Sequence, residues 1–249
     1  ETAVYKIGQI FAITGRVLPV TLENIDLIAT LENSQVVKGE STIPKEVRKQ
    51  KCKIDKITLI PEKCRPLDEV ISSIHGADII VMGPGSLYTS VIPNLLVPGV
   101  IDAIKKSNAK KVYIPNVMTQ PGETEGYNVL DHVEALIKHT EPGLIDCIIA
   151  IDNYDDSIEY ADEQKSVMIE TTSRQMIFDW AKDNGIILKR YKEDGSTQVL
   201  LDNEQRLKLK CMGIRTIESN LIEVKNAYIR HNANEISSII VKLALGHDI

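Results

Sequence analysis

The sequence predicts an α/β protein built on a doubly wound, Rossmann-like parallel sheet with helices on both faces, plus a β-hairpin. From "DIIVMG" onward, short wholly apolar stretches typical of buried parallel strands alternate with stretches of helical periodicity. With 43% hydrophobic and 26% charged residues in a chain of 249, the composition is that of an ordinary globular protein. We expect a single domain over residues 1–249, with 152–190 as an irregular lobe or insertion.

The first third of the chain predicts a helix, a hairpin and a first strand-helix unit. Residues 1–12 have apolar residues at helical spacing with no capping residue before them, as in a helix that is cut at its start. Alternation around "ENSQ" predicts a β-hairpin near residues 25–40. The basic "RKQKCKIDK" is interpreted as an exposed connector, "IDKITLI" as a strand and "PLDEVISSIHGA" as a helix that ends at Gly76.

The middle of the chain predicts a βαβαβ core. "DIIVMG", "KKVYIPNVM" and "LIDCIIAID" are its strands, and "VIPNLLVPGVIDAIKKS" and "NVLDHVEALIKHT" are the helices between them. Right-handed crossovers would make these strands parallel. The amphipathic "NEISSIIVKLAL" predicts a last helix.

Charge, cysteine spacing and hydropathy exclude several classes of function. The net charge of −6 disfavours binding to nucleic acid and to anionic membranes. The four cysteines form no CxxC pair, so we interpret them as reduced structural thiols. No apolar stretch approaches the roughly 20 residues of a membrane helix, and the start shows no signal-peptide pattern. We therefore expect a cytoplasmic protein with a small-molecule partner, no nucleic acid and no membrane insertion.

A glycine-containing turn follows the first strand of the core. Gly83 and Gly85 lack a Cβ, so the backbone can turn sharply there and approach a ligand closely. Their amides and the hydroxyls of Ser86, Thr89 and Ser90 would face a phosphate near a helix start. The alternative is a tight strand-to-helix turn whose hydroxyls act as caps. The stretch matches neither GxGxxG, nor GxxxxGK[ST], nor GxSxG.

A second polar loop, "NVMTQPGETEGY", follows the next strand. Ligands bind beyond the carboxyl ends of strands in open α/β sheets, so two such neighbouring loops predict a crevice. Asn116 and Gln120 could recognise amide and carbonyl edges of a base, while Glu123 could bind a ribose hydroxyl or hold a metal. The alternative is a solvated polar loop.

Histidine and arginine residues further along give weaker predictions. His132 and His139 are seven residues apart, and a metal site prefers i, i+4 spacing, so we interpret their segment as a surface helix. Arg230, in "YIRHN", could clamp a diphosphate through its two-pronged guanidinium.

Two long motifs resemble a known family. "ADIIVMGPGSLYTSVIPNLLVPGV" and "KKVYIPNVMTQPGETEGYNVLDHVEAL" are similar to the YvcK-type gluconeogenesis factors, a branch of the CofD-like (2-phospho-L-lactate transferase-like) group. "GRVLPV", "VVKGESTIP" and "YIRHN" fit the same family in the same order. The amino-terminal strand and "GGGTG" loop of the family, and its acidic "DDGGSSG"-like segment, are absent from this chain.

The resemblance implies a cytoplasmic bacterial protein that binds UDP-sugars such as UDP-N-acetylglucosamine and is needed for gluconeogenic growth and normal cell shape. It implies no secure catalytic activity, and it associates Tyr191 and Arg230 with the UDP-sugar. The alternative is an enzyme, a CofD-like transferase of phosphorus-containing groups that uses Mg²⁺ at Glu123 or at an acidic residue of the family segment absent from this chain. A scaffold that binds a protein partner through acidic residues 152–170, and a homodimer, also stay open. The complete set of predicted ligand-binding residues is Gly83, Gly85, Ser86, Thr89, Ser90, Asn94, Asn116, Thr119, Gln120, Glu123, Thr124, Tyr191 and Arg230.

Overall fold

The computed structural model describes residues 15–151, 157–162, 165–170, 195–225 and 228–247. The helix predicted for residues 1–12 lies outside this part of the chain. The strands are, in chain order, β1 (Asp26–Leu31), β2 (Val36–Lys38), β3 (Ile54–Ile60), β4 (Ile79–Met82), β5 (Lys110–Tyr113), β6 (Cys147–Ile151), β7 (Ser157–Asp162), β8 (Lys165–Glu170), β9 (Arg215–Ser219), β10 (Ile222–Lys225) and β11 (Tyr228–His231). The α-helices are α1 (Ile43–Gln50), α2 (Asp68–His75), α3 (Ile92–Leu96), α4 (Val100–Lys106), α5 (Val129–His139), α6 (Asn203–Cys211) and α7 (Ala233–Ala244).

The central sheet is parallel and has the strand order β4-β5-β6-β9. It contains the three strands of the predicted βαβαβ core and adds β9 at one edge. β4 and β5 pair in register from Ile79↔Lys110 to Met82↔Tyr113, so their carboxyl ends are neighbours. This confirms the predicted α/β architecture.

Helices cover both faces of the central sheet. Successive side chains of a strand point to opposite faces, and β6 is buried along its whole length. Ile148 packs into the core that also contains residues of α3, α4 and α5, whereas Ile149 packs into a second core with Ile236 and Ile239 of α7. A strand with apolar residues on both faces is stable only between two such layers, which explains why "CIIAI" contains no polar residue.

A smaller antiparallel sheet, of order β2-β1-β3, precedes the central sheet in the chain. β1 and β2 form the predicted hairpin, and the predicted strand β3 pairs with the other side of β1. A third sheet has the order β11-β10-β7-β8. Within residues 152–190 it contains the β7-β8 hairpin, whose first strand runs parallel to β10.

Two predicted elements differ from the structure. The basic segment interpreted as a connector is helical as far as Gln50, because α1 begins at Ile43, five residues before that segment starts at Arg48, and has Pro44 in its first turn. The helix predicted over "VIPNLLVPGVIDAIKKS" is divided into α3 and α4, since Pro98 and Gly99 interrupt it and Gly99 has a positive φ of 89°. A π-helical turn, Leu87–Val91, precedes α3.

In the described part of the chain, no single helix has the length and apolar character required to cross a membrane. Among the described residues, one pair of consecutive helical segments, Leu87–Leu96 and Val100–Lys106, has that length and apolar character when taken together, and the two segments are bent by 76° relative to each other.

Candidate functional site

A cleft of about 330 Å³ opens at the carboxyl ends of β4 and β5. Five segments that are distant in the sequence form it: the start of α1, the turn after β4, the loop after β5, the residues around Ser196, and β11. The lining residues are Pro44, Gly85, Ser86, Asn116, Val117, Met118, Thr119, Gln120, Pro121, Glu123, Ser196, Ile229, Arg230 and His231. The position matches the edge at which open α/β sheets bind ligands.

The turn after β4 brings its backbone against the end of β5. Gly83 has a φ of +83°, and a Cβ added there would lie 2.5 Å from the carbonyl oxygen of Ile114. The site therefore requires glycine at this position for packing between the two strands. Gly85, two residues later, has only ordinary contacts and lines the cleft.

The loop after β5 is tied to that turn by side-chain amides. The Nδ2 of Asn116 donates to Oε1 of Gln120 at 2.9 Å, and the Nε2 of Gln120 donates to the Ser86 hydroxyl at 2.8 Å. These three polar side chains therefore form one chain of hydrogen bonds across the cleft floor. A ligand could exchange these bonds for its own, since amides and hydroxyls both donate and accept.

Glu123 lies deeper, with only 5% of its surface exposed. Its Oε2 accepts from the Tyr88 N–H at 3.2 Å and its Oε1 from the Thr89 hydroxyl at 2.9 Å. Burial raises the pKa of this carboxyl, while the hydrogen bonds from Thr89 and Tyr88 oppose the increase. Both carboxylate oxygens are thus used within the protein.

β11 provides the basic side of the cleft. Arg230 is exposed, and its guanidinium lies 5.1 Å from the ring centre of Tyr228, which is a cation-π arrangement. The Nε2 of the neighbouring His231 contacts the carbonyl oxygen of Pro115 at 3.1 Å. A carbonyl oxygen only accepts, so Nε2 carries the proton and Nδ1 can accept a hydrogen bond when the ring is neutral. Burial lowers the pKa of His231, which favours the neutral ring.

The structure places seven of the predicted ligand-binding residues in the lining of this cleft: Gly85, Ser86, Asn116, Thr119, Gln120, Glu123 and Arg230. Gly83, Thr89, Ser90, Asn94 and Thr124 lie in the same loops but outside the lining. Tyr191 lies outside the described residues.

The residues outside the lining have structural hydrogen bonds. The fully buried Thr124 accepts from the Gln120 N–H at 2.9 Å through its hydroxyl, which closes the loop after β5. The N–H of Ser90 donates to the carbonyl of Ser86 at 2.9 Å, and Asn94 donates to the carbonyl of Ser90. Of the donors expected to face a phosphate, the Thr89 hydroxyl is already paired within the protein, with Glu123.

Sequence reasoning missed several cleft residues, chief among them His231, Ser196 and Pro44. His231 is adjacent to Arg230, so the "YIRHN" motif contains a signal that could have identified it. Ser196 follows the predicted insertion, and Pro44 lies in α1, which precedes the central sheet in the chain. Neither has a local pattern that marks it as part of a site.

The residues of the cleft do not fit the Mg²⁺ site that a transferase would require. Glu123 is the single carboxylate of the lining, and its two oxygens accept hydrogen bonds from Tyr88 and Thr89. Within the described ranges, no three His, Cys, Asp or Glu side chains come together to hold a metal.

The interpretation of the segment with His132 and His139 as a surface helix is wrong for these histidines. In α5, His132 is completely buried and His139 is partly buried. The Nε2 of His139 accepts from the Ile57 N–H at 2.9 Å, which links α5 to β3. Both rings contact tyrosines edge-on, His139 with Tyr88 and His132 with Tyr127. They are therefore packing residues.

A second, larger cleft of about 700 Å³ lies between α6 and β9. It includes Arg206, Lys210 and Arg215 but none of the predicted ligand-binding residues. Arg206 is paired with Glu218 through two hydrogen bonds. The cleft lies at the amino end of β9, which is the edge opposite to the usual ligand edge of such sheets. The smaller cleft is therefore the better candidate in spite of its volume.

Comparison with known proteins gives a consistent result over nearly the whole chain. The family model of 2-phospho-L-lactate transferase CofD matches residues 1–222. The chain is 38% identical over 241 residues to the gluconeogenesis factor of Bacillus subtilis (strain 168), covering 97% of this chain and 65% of that protein. It is 36% identical over 237 residues to the gluconeogenesis factor of Halalkalibacterium halodurans, covering 95% and 63%.

A solved structure has the same fold. The crystal structure of a UPF0052 family member from Bacillus halodurans superposes with a TM-score of 0.74 at 36% identity, covering 95% of this chain and 65% of that one. The chain spans about half to two thirds of the length of the curated relatives it matches: 47% of one from Clostridium acetobutylicum and 65% of one from Thermoanaerobacterium thermosulfurigenes.

Proposed function

Because this chain belongs to the YvcK-type gluconeogenesis factor family of the CofD-like group, we propose that it binds a nucleotide sugar such as UDP-N-acetylglucosamine. In this proposal, ligand binding regulates gluconeogenic growth and cell shape from the bacterial cytoplasm. The protein acts as a sensor of the ligand and performs no chemistry on it.

The observation that carries the proposal is the composition of the cleft at the ends of β4 and β5. The guanidinium of Arg230 suits a diphosphate, because it is a permanent cation with paired donors. Asn116 and Gln120 suit a base or a sugar amide, because each provides a donor and an acceptor. Val117, Met118 and Ile229 add apolar surface for a ring.

The size of the cleft supports a small-molecule ligand. Its volume of about 330 Å³ is near the lower end of the range of roughly 300–1,000 Å³ for small-molecule sites. Such a cleft can enclose a nucleoside with a phosphate, or a sugar with a phosphate.

A CofD-like transferase is the second candidate, because the matching family model has a transferase name. Phosphoanhydride chemistry requires a metal or an equivalent cation to neutralise developing charge. The described residues do not form a Mg²⁺ site around Glu123, so ligand binding without turnover is the better supported proposal.

Titration calorimetry of the complete natural chain with UDP-N-acetylglucosamine, on the wild type and on Arg230→Ala, tests the proposal. We expect Arg230→Ala to weaken binding by about 1.5 to 3 kcal/mol, which is typical of losing a hydrogen bond to a charged group. Arg230→Lys should fall between the two, because it keeps the charge and loses the two-pronged geometry.

Arg16→Ala is the matched control. Arg16 is also exposed, and its ion pair with Glu69 is at the surface, with neither residue in the cleft lining. We expect this control to leave affinity unchanged. No heat with the wild type at millimolar ligand would contradict nucleotide-sugar binding, and full affinity in a folded Arg230→Ala variant would remove Arg230 from the site.

A further inference from the structure

We propose that Glu123 is a positioning residue, whose carboxylate caps the turn after β4 from the loop after β5 and so holds the two walls of the cleft together. The ligand in this inference is that of the proposed function, but the structural part of the claim stands without it.

The π-helical turn Leu87–Val91 does not have the usual cap at its start. The first N–H groups of a helical turn have no partner within it, and a serine before the turn commonly accepts from them through its hydroxyl. Ser86 lies immediately before the turn, but its side chain accepts no hydrogen bond from the N–H groups of the turn. Its hydroxyl accepts instead from Gln120, on the ligand side of the turn.

Glu123 supplies the missing cap from a different loop. It lies 35 residues after Tyr88, yet its carboxylate accepts from the Tyr88 N–H and from the Thr89 hydroxyl. A negative charge at the start of a helical turn is favourable, because the free N–H groups there carry partial positive charge. The turn therefore depends on Glu123 for a role that its own sequence leaves open.

Because Glu123 is buried, the position of its carboxylate depends strongly on these hydrogen bonds. A buried charge is costly unless hydrogen bonds or an opposite charge compensate it. Among the described residues, no Lys or Arg forms an ion pair with Glu123. The bonds from Tyr88 and Thr89 are thus the compensation, and they fix the carboxylate in one place.

The two loops are linked at two depths. The link between Gln120 and Ser86 lies in the cleft lining, where a bound ligand competes for the same donors and acceptors. Glu123 also belongs to the lining, but only 5% of its surface is exposed and its carboxylate oxygens already accept from Tyr88 and Thr89, so this second link remains available when a ligand is bound. The deeper link therefore keeps Gly85 and Ser86 at a fixed distance from Asn116 and Gln120 during ligand exchange.

Direct binding of a phosphate by Glu123 does not fit the same geometry. Both carboxylate oxygens already accept from the protein, and a carboxylate repels a phosphate at close range. The effect of Glu123 on the ligand therefore acts through the turn.

The test compares Glu123→Ala, Glu123→Gln and Thr89→Val in the complete natural chain. Glutamine has the same shape: its Oε1 can accept from the Tyr88 N–H and its Nε2 can donate to the Thr89 oxygen. Thr89→Val removes the hydroxyl that bonds to Glu123, and Thr89 is not itself a residue of the cleft lining. Thr58→Val, in β3, is the matched control for a threonine-to-valine change.

Hydrogen exchange without ligand is the first measurement. We expect Glu123→Ala to speed amide exchange in both residues 86–91 and residues 116–124, since loss of the link releases both loops. Thr89→Val should do so to a smaller extent. Glu123→Gln and Thr58→Val should exchange like the wild type. Unchanged exchange in Glu123→Ala would overturn the proposal.

Affinity for UDP-N-acetylglucosamine is the second measurement. We expect a Kd about tenfold or more higher for Glu123→Ala, a smaller increase for Thr89→Val, and a value within about threefold of wild type for Glu123→Gln. Weak binding by Glu123→Gln together with normal binding by Thr89→Val would show direct contact through the charge and overturn the proposal.

The two measurements separate this inference from the proposed function. A wild type that does not bind the nucleotide sugar contradicts the proposed function, and hydrogen exchange then still decides the role of Glu123. If Glu123→Ala does not fold, the comparison of Glu123→Gln with Thr89→Val tests the same role of Glu123. Glu123→Gln keeps the hydrogen bonds between the two loops, whereas Thr89→Val weakens them.

Discussion

In the described part of the chain, His132 Nε2 and Gln205 Oε1 are buried side-chain atoms without a hydrogen-bond partner, and His132 is the titratable residue of the two. Its Nδ1 donates to the carbonyl of Asn128 at 2.8 Å, while its Nε2 is buried with no hydrogen-bond partner among the described residues. Protonation would place a charge at Nε2 in an apolar environment. Burial therefore lowers the pKa of His132 below its ordinary value.

This lowered pKa predicts a loss of stability in acid. The unfolded chain binds a proton near pH 6.5, whereas the folded chain resists it, so the stabilising contribution is complete above pH 6.5 and is lost as pH falls below it. We expect the free energy of unfolding in urea to decrease between pH 7.5 and pH 5.5. His132→Phe keeps a ring against Tyr127 and should reduce that decrease.

The exposed His75 provides the control, and His75→Gln should lose as much stability as the wild type between the same two pH values. Because burial also lowers the pKa values of His139 and His231, part of the decrease should remain in His132→Phe. An equal decrease in His132→Phe and wild type would contradict the assignment.

Seven of the thirteen predicted ligand-binding residues lie in the cleft lining, but residue types alone do not give the direction of each side chain. Asn116, Gln120 and Arg230 were chosen because they recognise polar and anionic groups, and they do lie in the cleft lining. The sequence predicts that Glu123 binds a ribose hydroxyl or a metal and that Thr89 faces a phosphate, yet the two side chains bond to each other. A sequence shows which groups can bind, but only the fold decides whether the protein or a ligand uses them.

At the scale of elements, the close approach of α1 to the loop after β5 depends on one glycine. Gly122 has a φ of +84°, and a Cβ there would overlap the carbonyl oxygen of Pro44 in the first turn of α1. The first turn of α1 therefore packs against the backbone of the loop after β5 at a position where no side chain fits. Pro44 lines the cleft through this contact.

Gly122→Ala is expected to destabilise the protein more than Gly126→Ala. Gly126 has a similar φ of +75° but no atom within 4 Å of an added Cβ, so its substitution costs only the backbone strain of roughly 1–2 kcal/mol. Gly122→Ala adds an overlap with backbone, which costs about 1–3 kcal/mol more. Urea unfolding measures both, and equal losses would contradict the contact.

Elements with strong periodicity were predicted well, and elements that depend on distant partners were not. β4, β5, β6 and α5 have patterns set by their own burial, so the sequence indicated them. α1 was missed because only Ile43 and Val47 of its eight residues are buried, which leaves a charged segment resembling a connector. β9 was missed because its position beside β6 is a long-range pairing.

At the scale of the whole molecule, the fold brings together segments from residue 44 to residue 231 around one cleft. The antiparallel bridge Met118↔Gln198 is one of the long-range links, with the Thr119 N–H donating to the Thr197 carbonyl at 2.7 Å. Such links place Ser196 beside the loop after β5. The location of the cleft followed from the rule for parallel sheets, but its basic side on β11 depends on the third sheet, which local patterns did not predict.

The crystal structure of the complete natural chain with UDP-N-acetylglucosamine bound tests the central claim most directly. We predict that the diphosphate lies against the guanidinium of Arg230, with the rest of the ligand between Ser86 and the amides of Asn116 and Gln120. Ligand in the cleft between α6 and β9, or anywhere else away from the ends of β4 and β5, would contradict the account.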